Sequence, residues 1–293
     1  MHDMRGKVCI ITGANAGIGK HTVIGLGRLG ARVVMVARDP VKGAAAHREV
    51  LSAVGGDAVD LVRGDLATLG STNALAAELL ARYPVIDVLI NNAGVWITKR
   101  RENADGYEAT LATNHLAPYL LTARLLGRLR AAEQGRVVTV TSELHRRGVV
   151  DFDDLHTTRR RYRGVQAYAD SKLMNIMFTR ALARRLAGTG VTANAVHPGK
   201  VHTEITRKAQ GVSGFLARTF TPVVGPFLLT AEQGAATSIH VASSAEGGEV
   251  SGKYFAKSAV APPRPRAEDD AVAERLWAVS AELCGLDAGA WGS

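Results

Sequence analysis

The chain has 293 residues, 46% of them hydrophobic and 22% charged, a composition that excludes a disordered or fibrous protein. Its two cysteines, Cys9 and Cys284, exclude a disulfide framework and a cysteine metal site, and read as small apolar fillers. The net charge of +9 comes with no helix-turn-helix, finger spacing or aromatic-basic interleaving, so no nucleic-acid partner is expected and the arginines read as solvated helix faces.

No stretch approaches the roughly 18 to 20 uninterrupted apolar residues of a membrane helix, and residues 1–7 carry no apolar signal segment. The expectation is a cytoplasmic protein without membrane contact. Along the chain, seven strand-like runs at 8–12, 32–37, 59–63, 85–91, 136–141, 191–196 and 252–255 alternate with helical periods such as 20–29, 72–82, 106–130 and 169–186. Gly30, Gly127 and Gly188 are placed to end helices. The runs are continuously apolar rather than alternating, the pattern of parallel strands covered on both faces. No linker or repeat divides the chain, so the reading is one α/β domain with a seven-stranded, mostly parallel, doubly wound sheet flanked by helices.

The first strand runs into Thr12-Gly13-Ala14-Asn15-Ala16-Gly17-Ile18-Gly19 and then a helix. Glycines in that setting let the backbone approach a pyrophosphate, whose charge the helix N-terminus stabilises. At the end of the second strand, where an NAD enzyme places an acid for the ribose hydroxyls, stand Ala37 and Arg38. A guanidinium there suits a 2′-phosphate, so NADP(H) is expected over NAD(H), with Asp39 beside it and Asn15 in place of a basic residue as the features that speak against it. Asp65-Leu66 follows the third strand, where a helix cap is the plainer role for the acid. Asn91-Asn92-Ala93-Gly94 follows the fourth, and Ser142 closes the fifth.

Tyr168 and Lys172 open the next long helix four residues apart, on one face. A phenol of pKa about 10 is poorly matched to neutral pH, and a nearby ammonium together with an oxidised nicotinamide would lower it. Tyr168 is therefore expected as general acid in carbonyl reduction and general base in the reverse direction. Lys172 would tune it and hold the nicotinamide ribose.

Taken together, the TGxxxGxG loop, Asn91 to Gly94, Asn114-His115-Leu116, Ser142, Tyr168 with Lys172, and Pro198-Gly199 through Thr203 resemble the short-chain dehydrogenase/reductase family with its single-domain Rossmann fold, closest to its retinol dehydrogenase-like branch. The resemblance implies that Asp65 and Leu66 meet the adenine, that Asn92, Ala93 and Gly94 line the cofactor, and that Pro198, Gly199, Val201 and Thr203 cover the nicotinamide. It also implies that Ser142 orients the substrate oxygen and that Asn114 bends its helix and holds a water in a proton relay to Lys172. His197 reads as structural. The implied reaction is hydride transfer between NADPH and a lipophilic aldehyde or ketone; epimerisation or elimination on a bound nicotinamide, and a non-catalytic NADP sensor, are the alternatives.

The core is expected over about 7–200, an apolar substrate lid over about 203–230, and a C-terminal helix and tail over 266–293. Glu143 directly after Ser142 departs from the branch, and the run Arg159, Arg160, Arg161, Arg163 reads as a solvated loop or an anion receiver. The apolar outer residues of 172–186 suit packing on a second subunit, so homodimer and monomer both stay open.

Overall fold

The computed structural model describes residues 3–56, 58–199, 229–289 and 291. Its strands are β1 (Val8–Thr12), β2 (Arg32–Ala37), β3 (Val59–Arg63), β4 (Val88–Asn91), β5 (Arg136–Val140), β6 (Thr192–His197), β7 (Tyr254–Ala256) and β8 (Ala259–Val260). Its helices are α1 (Gly17–Arg28), α2 (Pro40–Val54), α3 (Leu69–Arg82), α4 (Ala109–Leu111), α5 (Ala117–Arg130), α6 (Gly164–Arg185), α7 (Ala231–Ser243), α8 (Ala245–Glu249) and α9 (Asp270–Leu283). The strands form one sheet in the order β3-β2-β1-β4-β5-β6-β7-β8, parallel except for the last pair. Strand order reverses between β1 and β4, and the crevice outside their carboxyl ends is where an open α/β sheet offers a ligand site.

Successive strand residues feed two cores. Ile10, Val34, Leu89 and Val137 enter one shared with α3, α5, α6 and α9. Cys9, Ile11, Val33, Met35, Ile90 and Val138 enter the other, beneath α1, α2 and α7. Covering both faces is what removes the polar alternation of a half-exposed sheet.

The sheet has eight strands where the sequence suggests seven. β7 turns back into β8 through Lys257 and Ser258, both left-handed at φ 53° and 58°, a primed two-residue hairpin turn that normally announces itself with Asn-Gly. Val85 to Asp87 stay outside β4, because the Ile86 N–H turns to the Arg128 carbonyl at 3.1 Å. Gly127 does not end its helix, which continues to Arg130, whereas Gly30 and Gly188 are left-handed at φ 91° and 78° as expected of helix stops. The helix expected over 106–130 is α4, a π turn (Ala112–Leu116) and α5 in succession. α2 carries a clear start signal, Asp39 capping the Val41 and Lys42 N–H groups ahead of Pro40 in the first turn.

The outer face of α6, which the sequence offers to a second subunit, is covered by the chain's own α9. Arg184 pairs with Asp270 at 2.6 Å, Arg185 with Glu274 at 2.6 Å, and Trp277 of α9 packs with Phe178, Tyr119 and Trp291. Among the described residues no helix is long and apolar enough to cross a membrane.

His115, 1% exposed, joins the π turn to α9 through a 2.8 Å bond between Nε2 and the Ser280 hydroxyl. Burial pushes its pKa down to about 4. A base whose folded pKa is depressed stabilises above its unfolded value near 6.5 and loses that contribution as pH falls toward the folded one. Denaturant melts should show wild type losing up to about 3 kcal/mol more than His115→Gln between pH 6.5 and 4; equal slopes would refute the assignment.

Candidate active site

At the β1–β4 crevice the glycine loop and the segment after β4 are laced together. The Thr12 hydroxyl accepts the N–H groups of Asn92 (3.1 Å) and Ala93 (3.0 Å), and the Asn92 side-chain amide donates to the Thr12 carbonyl at 2.8 Å. Gly13 is left-handed at φ 64°, and a Cβ there would stand 2.8 Å from the Ala93 Cα; only glycine allows both the turn and this approach. Ala16 precedes α1 with no side-chain cap, and the first turn holds no acid. The N–H groups of Gly17, Ile18 and Gly19 thus begin a helix whose positive end faces the crevice uncompensated, the arrangement that fits a pyrophosphate.

Arg38 is exposed immediately after β2, beside the same crevice. The neighbouring Asp39 is engaged elsewhere, its Oδ1 accepting the Val41 and Lys42 N–H groups at 3.0 and 3.1 Å, which hold its carboxyl below the usual range. Asp65 accepts the Ala67 N–H at 3.1 Å and does not cap α3; Thr68 does, in a reciprocal pair with Ser71. Leu66 is buried next to it. Pro198 and Gly199 follow β6 at the same edge of the sheet. Val201, Thr203 and the lid stretch through residue 228 lie outside the described residues.

Ser142 stands two residues past β5 and caps a 3-10 turn (Glu143–Arg147), accepting the Leu144 N–H at 3.3 Å. Across from it, Tyr168 and Lys172 stand one turn apart on α6. The Lys172 ammonium lies 5.5 Å from the centre of the Tyr168 ring and donates to the Val140 carbonyl at 2.9 Å. Lys172 is 2% exposed, and burial brings its pKa down to about 8. The expected lowering of Tyr168 needs an oxidised nicotinamide as well as the ammonium; in the chain alone burial pushes the phenol up to about 12, against a smaller lowering from the Ser142 side chain. The chain alone desolvates tyrosinate, and Lys172 does not offset that.

Asn114 sits in the π turn, where one extra residue re-aims its side chain. Its Oδ1 accepts the Val95 N–H at 2.7 Å, and its Nδ2 donates to the Val95 carbonyl and the Ser171 hydroxyl, both at 3.0 Å. Asn114 is fully buried and ties the segment after Gly94 to α6. A Cβ on Gly94 would be 3.4 Å from Lys172 Nζ and 3.5 Å from Asn114 Oδ1, so these three groups are direct neighbours. Sequence reasoning missed Trp96, whose ring stacks on Tyr168 at 5.4 Å and 18°; an aromatic residue two places past Gly94 was the available signal.

Glu143 is partnered rather than free, by Arg146 at 2.6 Å and by His197 Nε2 at 3.5 Å. The arginine run is organised by a carboxylate: Asp154 accepts the N–H groups of Thr158, Arg159 and Arg160, and Arg160 pairs with Asp170 at 3.0 Å. Arg159, Arg161 and Arg163 face solvent. Among the described residues no group of three or more His, Cys, Asp or Glu could hold a metal ion.

The short chain dehydrogenase family model matches residues 7–211. The chain belongs to the short-chain dehydrogenases. Human retinol dehydrogenase 12 is 45% identical over 96% of this chain and 87% of its own length, and human retinol dehydrogenase 13 is 41% identical over 97% and 86%. A crystal structure from Mycobacterium paratuberculosis superimposes with a TM-score of 0.79 at 32% identity, covering 98% of this chain and 96% of that one. The NADP complex of Pseudomonas aeruginosa RhlG does so at 0.68 and 25% identity, covering 87% and 97%. As a short-chain dehydrogenase close to the retinol dehydrogenases, the protein is an oxidoreductase that acts on alcohol or carbonyl groups with a nicotinamide cofactor.

Proposed function

We propose that the protein reduces lipophilic aldehydes or ketones with NADPH, and oxidises the corresponding alcohols, with Tyr168 as the proton donor and acceptor. The convergence of Ser142, Tyr168, Lys172 and Asn114 beside the β1–β4 crevice carries this reading. A nicotinamide held by the 12–19 loop, Asn92 to Gly94 and Lys172 would supply the hydride for the carbonyl carbon. The Tyr168 hydroxyl gives its proton to the carbonyl oxygen, and Ser142, whose side chain acts on the same phenol, donates to that oxygen and orients it. Lys172, protonated below about 8 and 5.5 Å from the centre of the Tyr168 ring, favours the tyrosinate form by its charge and would hold the ribose. Asn114 keeps the loop of Val95 at a fixed distance from α6. The lipophilic substrate class is supported by the likeness to the retinol dehydrogenases.

Preference for NADP rests on Arg38 being exposed beside the crevice while the adjacent acid, Asp39, is consumed as a helix cap. A charge-assisted pair with a 2′-phosphate is worth about 1.5–3 kcal/mol. Arg38→Ala should therefore weaken NADPH binding roughly 10- to 100-fold and leave NADH binding within about twofold, as read by fluorescence titration. Equal losses for both cofactors would refute the assignment. A screen of aldehydes and ketones with each cofactor tests the reaction class. Stoichiometric loss of NADPH absorbance separates reduction from epimerisation or elimination, in which the cofactor is regenerated.

A further inference from the structure

Resting on that reading, we propose that Trp96 is the positioning residue for Tyr168 and the flat wall that favours substrates with an aromatic or conjugated group beside the carbonyl. The two rings lie 5.4 Å apart at 18°, an offset stack. Trp96 is half-buried, with one face of the ring spent on Tyr168 and no hydrogen bond from its indole N–H among the described residues, so the ring keeps accessible apolar area beside the phenol.

The indole is held in place from both sides. On one side Val95 has its N–H and carbonyl bound by Asn114, which also bonds Ser171 of α6. On the other, the Ile97 carbonyl accepts the Tyr162 hydroxyl at 2.9 Å. Gly164, the first residue of α6, packs so closely on this segment that a Cβ would collide with the Ile97 carbonyl and stand 2.9 Å from the Thr98 Cα. Both clamps lead back to the helix that carries Tyr168. A rigid pair of this kind fixes the plane of the phenol and shields one of its faces from water, whereas a lone tyrosine in a cleft would rotate and be wetted.

Among the described residues, Ser142 and Lys172 are the polar and charged groups that act on Tyr168. Glu143 and His197, beyond Ser142, are paired with each other, and Glu143 also with Arg146. Opening the indole's place to water would ease the desolvation that raises the phenol.

The test uses the full chain with NADP(H) and a matched pair of probes, benzaldehyde and cyclohexanecarbaldehyde, that differ in ring unsaturation. Trp96→Ala should lower kcat/KM for benzaldehyde about tenfold and for the saturated aldehyde no more than about twofold. The acid-side inflection for benzyl alcohol oxidation should move to lower pH, and Trp96→Phe should restore both properties. Trp96→Leu serves if the alanine variant does not fold. Equal losses on the two aldehydes with an unmoved inflection would overturn the proposal and leave the reaction class standing. Tyrosinate absorbance in the NADP⁺ complex, taken against the same protein carrying Tyr168→Phe, reads the ionisation without turnover. A shift there in a protein that reduces no carbonyl would sink the reaction class and keep Trp96 as the positioning residue; no shift would sink Trp96.

Discussion

Tyr168→Phe is expected to lower kcat/KM for carbonyl reduction roughly 10³-fold, while NADPH binding and the melting temperature stay close to wild type. General acid catalysis of this kind contributes about 10²–10⁴, and the substitution removes the proton while keeping the ring that stacks on Trp96. Ser142 is the polar side chain that acts on the hydroxyl among the described residues, so a small change in stability is the expected structural cost. NADPH oxidation by the variant measures the effect; turnover within tenfold of wild type would show that some other group delivers the proton. Lys172→Met should reproduce much of the loss, and its effect should grow less with rising pH, because the wild-type ammonium itself gives up its proton above about 8.

The largest stability effect is expected at Trp277. The residue is 2% exposed, its ring centre lies 4.4 Å from that of Trp291 and 5.0 Å from that of Tyr119, and the Arg185 guanidinium covers it at 4.1 Å. Its indole N–H donates to the Ala288 carbonyl at 3.1 Å. Trp277→Ala removes a large packed ring from the contact between α9 and α6 and should cost about 3–5 kcal/mol. For a chain of this size that lowers Tm by roughly 10 °C. Calorimetry checks it, and a loss under about 1 kcal/mol would mean that α9 is not a structural part of the core. Removing the ring would also bare the apolar face of α6, so the variant's sedimentation should be followed for new self-association.

How much of this was legible in the chain depends on whether the signal is local. β1, β2 and β3 match their expected bounds residue for residue; in the inner strands β1 and β2 burial writes a nearly continuous apolar run into the sequence, and the edge strand β3 keeps only a shorter apolar pattern in VDLVR. The glycine loop was legible for the same reason, its turn and helix start being set within a few residues. β8 was not, since a left-handed Lys257-Ser258 pair is imposed by the sheet edge and leaves no turn residue behind. Trp96 was not, because an aromatic residue two places past Gly94 places a ring near the crevice but does not say that it stacks on Tyr168. The rise of the Tyr168 phenol in the chain alone was not legible either, because helical spacing shows the neighbouring ammonium, whereas desolvation is set by everything packed around the phenol.

The π turn carries a consequence for how the gene can change. Such a turn is an α-helix holding one residue more than its length requires, and deleting that residue would improve the helix's own hydrogen bonding. It would also rotate Asn114 by about 100°, away from Val95 and Ser171. Sequence drift in related chains should therefore tolerate single-residue deletions at exposed turns such as Gly55-Gly56 and purge them between Ala112 and Leu116, where a better helix would be a worse enzyme.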